Sequence, residues 1–148
     1  MNKESIKREA IERFRSGFNC SQSVLSSMAG EIKVDVDFLE KVASGFGGGM
    51  GHMQGTCGAI TGSFMTISIY CGNRYPDNDE RTDTAYGLIR KFDSDFKKLH
   101  GTTNCRELLG YELDSPEDHD RAVANNAFEN VCEKCIRDSI DILSQLLK

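Results

Sequence analysis

Apolar residues recur at helical spacing through most of the chain. Ile6, Ala10, Ile11 and Phe14 share one face of a segment from Lys3 to about Phe14. Ser16-Gly17-Phe18-Asn19 interrupts that face, with Gly17 as a C-terminal stop and Asn19 as an N-cap. A second helix carries Cys20, Val24, Leu25 and Met28 along one stripe and ends at Gly30. Asp35 or Asp37 caps a short third helix that turns Phe38, Leu39 and Val42 inward. From Glu80 to about Leu99 the inner positions are Ala85, Leu88, Ile89, Phe92 and Phe96, and His100-Gly101 closes the run. Asn104 to Gly110 reads as a short helix. Ser115-Pro116-Glu117-Asp118 is a strong helix start, with serine at the cap and proline in the first turn. A last helix begins near Asn130 and carries Cys132, Cys135, Ile136, Ile140, Leu143 and Leu147.

Two stretches depart from this rhythm. Gly45 to Gly51 holds five glycines and cannot be a stable helix interior. Thr66-Ile67-Ser68-Ile69-Tyr70 has strand-forming residues. The whole of Cys57 to about Cys71 is nevertheless read as helix, because no second strand candidate can pair with it. Gly58, Ala59, Gly62 and Ser63 give that helix a flat surface on which a second helix or a cofactor can sit close to the backbone. The predicted architecture is all-α: one compact multi-helix bundle over residues 1–148, with a glycine-rich loop at one end.

Composition narrows the function. The length suits a single domain, and a chain of this size buries roughly 68–70% of its unfolded surface, so no disulfide is needed for folding. The net charge is −5 with basic residues scattered, which leaves nucleic-acid binding without a basic stripe. The charged start Met1 to Ala10 is not a signal peptide, and no apolar run reaches the ~20 residues of a membrane helix. A reducing cytoplasm is therefore the expected compartment. There, six cysteines point to metal ligation or dithiol chemistry rather than a disulfide framework.

Cys57 has the most telling setting. It follows the glycine-rich stretch and opens a helix, where backbone N–H groups stabilise negative charge. The thiolate is both the nucleophile and the metal ligand. Cys132-Glu133-Lys134-Cys135 is a CxxC pair at a predicted helix start, where the first thiol can have a lowered pKa.

Asn19-Cys20, Cys57-Gly58-Ala59 with Gly62, Cys105-Arg106-Glu107-Leu108-Leu109-Gly110 and Cys132 occur in that order along the chain. This resembles the redox family named for its cysteine pattern, C_GCAxxG_C_C, from Phe14 to about Leu143. Thr56 before Cys57, and Gly58 between Cys57 and Ala59, depart from the naming motif; Cys71 and Cys135 lie outside it. The resemblance implies a helical fold, a cysteine-based centre and a role in anaerobic-type redox metabolism.

The first functional reading is a cysteine-ligated metal centre that passes electrons, as an oxidoreductase or electron-transfer protein. Cys20, Cys57, Cys105 and Cys132 are its candidate ligands, since four thiolates suit zinc or an iron–sulfur cluster. Iron–sulfur is preferred because Gly47, Gly48, Gly49, Gly55 and Gly58 could bring backbone N–H groups to the cluster sulfurs. The alternative is metal-free thiol–disulfide exchange by Cys132 and Cys135, or by Cys57. A third reading is a non-catalytic helical binding module with structural thiols. The expected partner is a redox protein or a small-molecule oxidant or reductant. A homodimer is expected only if the face of Gly58 and Gly62 is left unfilled within the chain. The glycines fit no dinucleotide or P-loop register. His52 lies in the loop, where it could bind metal or move a proton, although a solvated surface role is the simpler reading; His100 and His119 read as a helix end and an exposed helix position.

Overall fold

Side-chain caps start most of the helices. In the computed structural model, which describes all 148 residues, Asn2 accepts from the Ser5 N–H at 3.1 Å and opens α1, Lys3–Arg15. Gly17, at φ 114°, ends it in a conformation that costs other residues strain. Asn19 caps α2, Cys20–Ser27, in a reciprocal capping box with Gln22. Beyond Met28 the chain enters a one-turn helix α3, Ala29–Ile32, so Gly30 lies inside a helix rather than ending one. Lys33, at φ 58°, makes the stop instead. Asp35 caps α4, Val36–Ala43, which passes into a 3₁₀ turn over Ser44–Phe46.

The ambiguous segment is helical throughout as α5, Gly58–Arg74. Asp77 caps α6, Asn78–His100, and Gly101 closes it. Asn104 and Gly110 bracket α7, Cys105–Leu109. Ser115 caps α8, Pro116–Ala124. Chain order ends with a π turn over Phe128–Cys132, closed by the Glu133 N–H donating to the Phe128 carbonyl, and with α9, Glu133–Leu146. The protein is all-α; its sole β-type pairing is an isolated antiparallel bridge between Thr56 and Asn104.

Helical turns already precede Cys132, which corrects the expectation that the CxxC pair opens a helix. A thiol at an open helix start faces unpaired N–H groups. Cys132 instead sits at the end of a wound π turn and does not have that environment.

Helix α2 lies against α1, α4, α5 and α9, and α9 also packs on α5 and α6. Helices α2 and α5 approach closely. A Cβ added at Gly62 would fall 2.7 Å from the Ser21 carbonyl oxygen, and one at Gly58 would fall 3.0 Å from the Ser21 nitrogen. The small-residue face predicted on α5 is thus filled by α2 of the same chain, and the sequence argument for a dimer through it lapses. Val24, Ile60, Ile67, Phe92, Phe96, Ile136 and Ile140 are buried in the main core. Arg15 of α1 reaches α9 through a paired contact with Glu133, at 3.0 Å and 2.9 Å, and the Glu133 carboxylate is buried.

Helix α4 departs from expectation. Leu39 and Ala43, four residues apart, are buried with Leu25 and Ile32, whereas Phe38 and Val42 stand 58% and 40% exposed. A helix of about two turns presents one narrow stripe, and Phe38 and Val42 each sit about 100° off it. No helix is long and apolar enough to cross a membrane.

Candidate functional site

Five of the six cysteines line one cavity of 140 Å³. Cys20 is the first residue of α2, Cys57 precedes α5, Cys105 opens α7, Cys132 ends the π turn, and Cys135 lies in the first turn of α9. All six cysteines are free thiols. The four cysteines of the sequence pattern therefore meet, and Cys135 joins them. Cys71 does not. It lies within α5 in the main core, where burial pushes its thiol up.

Backbone pairing brings Cys57 and Cys105 together. The Cys57 N–H donates to the Thr103 carbonyl at 2.9 Å, and the Cys105 N–H donates to the Gly55 carbonyl at 2.7 Å. These bonds flank the Thr56–Asn104 bridge and clasp the two chain segments. The turn before the clasp is compact. Its N–H groups at Gly51, Gln54 and Gly55 donate to the carbonyls of Gly45, Gly48 and Gly49, each at 2.9 Å. Gly49 has φ 72°, and a Cβ there would fall 2.5 Å from the Gly55 nitrogen, so only glycine fits. Among the glycines predicted to cradle a cofactor, Gly48, Gly49 and Gly58 line the cavity. Gly47 packs on Asn19, and Gly55 packs on the Gly49 carbonyl.

The sulfurs interact in pairs that cross between elements. The neighbouring Cys135 thiol, as a donor toward the Cys57 sulfur, is the largest cause that lowers the Cys57 pKa from the ordinary thiol value despite burial; the N–H groups of Ala59 and Ile60 act in the same direction. Those two N–H groups face the sulfur without completing a side-chain cap hydrogen bond. The same contact raises Cys135, with burial adding to it. Cys20 is raised well above the ordinary value, first by its hydrogen bond with Cys132 and then by burial. Burial pushes the Cys105 thiol up to about 12. Cys57 is thus biased toward its anion while Cys20, Cys105 and Cys135 keep their protons. The CxxC residues do not partner one another: Cys132 meets Cys20, and Cys135 meets Cys57.

Sequence reasoning missed Gln54. Its backbone is left-handed at φ 56°, and its side chain is buried. Its amide donates to the Tyr111 carbonyl at 2.7 Å and accepts from the Leu113 N–H at 2.9 Å. Its side chain also acts on the Cys105 thiol, drawing its pKa down against the larger effect of burial. No periodicity marks such a residue, because its role depends on a distant loop. Gln54→Ala leaves two backbone groups without partners and is expected to cost about 1–3 kcal/mol. Urea unfolding measures this; Gln54→Gly, which relieves the backbone strain, should lose less. His52 and His119 both line the cavity, and His119 lies beside Phe128 with ring centroids 5.8 Å apart. His119 is exposed on α8, as expected, and also borders the cavity.

A soft metal suits a wall of thiols. As the side chains stand, however, no three His, Cys, Asp or Glu residues are arranged to hold a metal ion. A zinc ion requires four donors around one point, and the crossed pairs do not provide them.

Comparison with known proteins agrees with the cysteine pattern. Residues 18–146 match the family described as "Putative redox-active protein (C_GCAxxG_C_C)". A protein of Archaeoglobus fulgidus, described as an uncharacterized protein, is 29% identical over 116 residues, covering 71% of this chain and 74% of that protein. No solved structure matches the chain. With its pattern cysteines gathered in one cavity and the match running through nearly the whole helical fold, the chain belongs to the C_GCAxxG_C_C family.

Proposed function

We propose that the protein performs thiol–disulfide redox chemistry, with Cys57 as the attacking thiolate and Cys135 as the thiol that completes the reaction. The observation that supports it is the Cys57–Cys135 contact within the cavity, with the anion favoured on Cys57 and the proton on Cys135. In the reaction, the Cys57 sulfur attacks one sulfur of an acceptor disulfide. A mixed disulfide forms and the first thiolate leaves. Cys135 then gives up its proton and attacks the Cys57 sulfur. The Cys57–Cys135 disulfide forms, and the second thiolate leaves and is protonated. Two electrons have passed to the acceptor.

The order of events follows from charge. While Cys57 is anionic, its charge holds the proton on Cys135. Once Cys57 is in a mixed disulfide, that charge is gone and Cys135 is free to ionise. A reducing cytoplasm, where we place the protein, would return the pair to the thiol form. Cys20 and Cys132 form a second pair in the same wall, able to accept the oxidation in turn by exchange.

Thiol counting with peptide mapping tests this reading. Mild disulfide oxidation should remove two titratable thiols, and reductant should restore them. The oxidised protein should yield a Cys57–Cys135 cross-linked peptide. A map in which Cys135 stays free after oxidation refutes the assignment.

A second reading is supported by a different observation, the presence of Cys20, Cys57, Cys105 and Cys132 around one cavity. These four would hold an iron–sulfur cluster more readily than zinc, because cysteines of a cluster bind separate iron atoms and need no common centre. Iron and acid-labile sulfide in protein purified without oxygen would establish it. Their absence would remove it.

A further inference from the structure

We infer that the cysteine cavity selects a small, uncharged, apolar disulfide as its substrate. The inference rests on the thiol–disulfide reading and specifies its acceptor. Three observations carry it. The first is the wall. Phe14, Leu108, Leu109, Leu113, Phe128 and Val131 line the cavity together with the sulfurs. The second is what the lining lacks: it includes no lysine, arginine, aspartate or glutamate, and besides the thiols its ionisable side chains are His52 and His119. A substrate carrying an ammonium group would lose its hydration there with no carboxylate to meet it, and one carrying a carboxylate or phosphate would have only the two imidazoles, each exposed, to offset a cost of several kcal/mol. The third is size. The cavity holds 140 Å³, and an apolar cavity of about 150 Å³ suffices for a benzene ring. Peptide disulfides, nucleotides and flavins are too large for it.

The sulfurs are placed for such a guest. Cys57, Cys20 and Cys132 form part of the same wall as the apolar residues. A short dialkyl disulfide can lay its chains on the leucines and Phe128 while its S–S bond meets Cys57. Thioether-like sulfur and aromatic rings also attract each other, by about 0.3–1.5 kcal/mol. Oxidation of the Cys57–Cys135 pair reduces the guest to one thiol, which takes the proton of Cys135, and one thiolate, which takes a proton from water.

Two measurements test the inference. Three disulfides of one skeleton are supplied to the reduced protein: diethyl disulfide, cationic cystamine and anionic dithiodiglycolate. Each rate is divided by that disulfide's rate with free 2-mercaptoethanol, which removes intrinsic reactivity. Diethyl disulfide should lead by at least tenfold, and Leu113→Glu should abolish its lead. Separately, benzene should raise the melting temperature of a Cys57→Ser/Cys135→Ser protein, which reads the cavity without redox chemistry. Equal normalised rates, or a lead for either charged disulfide, would overturn the substrate assignment and leave the thiol–disulfide reading intact. Benzene binding with no oxidation by any of the three would overturn the thiol–disulfide reading, and the substrate assignment with it.

Discussion

Iodoacetamide should label Cys57 faster than any other cysteine of the native protein at neutral pH. The reason is its environment. Alkylation consumes the thiolate, and Cys57 alone has a pKa shifted below the ordinary thiol value, while those of Cys20, Cys71, Cys105 and Cys135 are raised. Its rate should reach half its maximum at a lower pH than a free thiol does. Cys135→Ala removes the largest cause of that shift. It should slow Cys57 labelling at neutral pH about tenfold, the effect of one hydrogen bond to a charged sulfur. Labelling that is unchanged in Cys135→Ala would show that the two sulfurs do not interact. The sign for stability follows from the same shifts. The raised thiols keep their protons in the folded state above pH 9, where the unfolded chain loses them, so they destabilise the fold as pH rises. Cys57 acts in the opposite sense: its stabilising share is present above its unfolded pKa and is lost as pH falls through its folded one.

Glycine-to-alanine substitutions at Gly62 and Gly87 should change stability in opposite directions. Both residues lie within helices, where alanine is favoured over glycine by about 1 kcal/mol. At Gly87 nothing lies within 4 Å of an added Cβ, so the full gain of about 1 kcal/mol is expected. At Gly62 the added Cβ meets the Ser21 carbonyl oxygen at 2.7 Å, and backbone cannot swing aside. Overpacking costs about 1–3 kcal/mol, which exceeds the propensity gain, and Gly62→Val should cost more still. Urea midpoints measure both. The Gly62 variants also push on α2, which carries Cys20, so the proposed exchange between the Cys20–Cys132 and Cys57–Cys135 pairs should slow. A Gly62→Ala protein as stable as Gly87→Ala would mean that α2 and α5 are not in close contact.

Single-residue signals in the sequence mostly held, Gly30 being an exception because the chain winds on through it into α3. Asn19, Asp35 and Ser115 cap helices as read from the chain, and Gly17, Gly101 and Gly110 end them. The small-residue stripe on α5 correctly announced a close neighbour, although nothing local could say that it would be α2. Phe38 and Val42 depart from the inward expectation because hydrophobicity alone does not decide burial: a two-turn helix buries only the stripe facing its neighbour. Within the site, the four pattern cysteines were legible from order and neighbours. Their pairing was not. Cys132 and Cys135 are close in sequence, but the packing of α9 against α2 and α5 gives each a different sulfur to meet. Gln54 was invisible for the same reason, since its partners Tyr111 and Leu113 lie far along the chain.

The π turn before α9 has a consequence for how the cavity can diversify. A regular helix locks every side chain to a fixed angular step of ~100° per residue. The widened turn spends one residue out of phase, which rotates Phe128 against Cys132 and Cys135 by about that step. An aromatic side and a sulfur side of one pocket can then drift independently. Relatives could reshape the aromatic side of the cavity while its sulfur atoms keep their places.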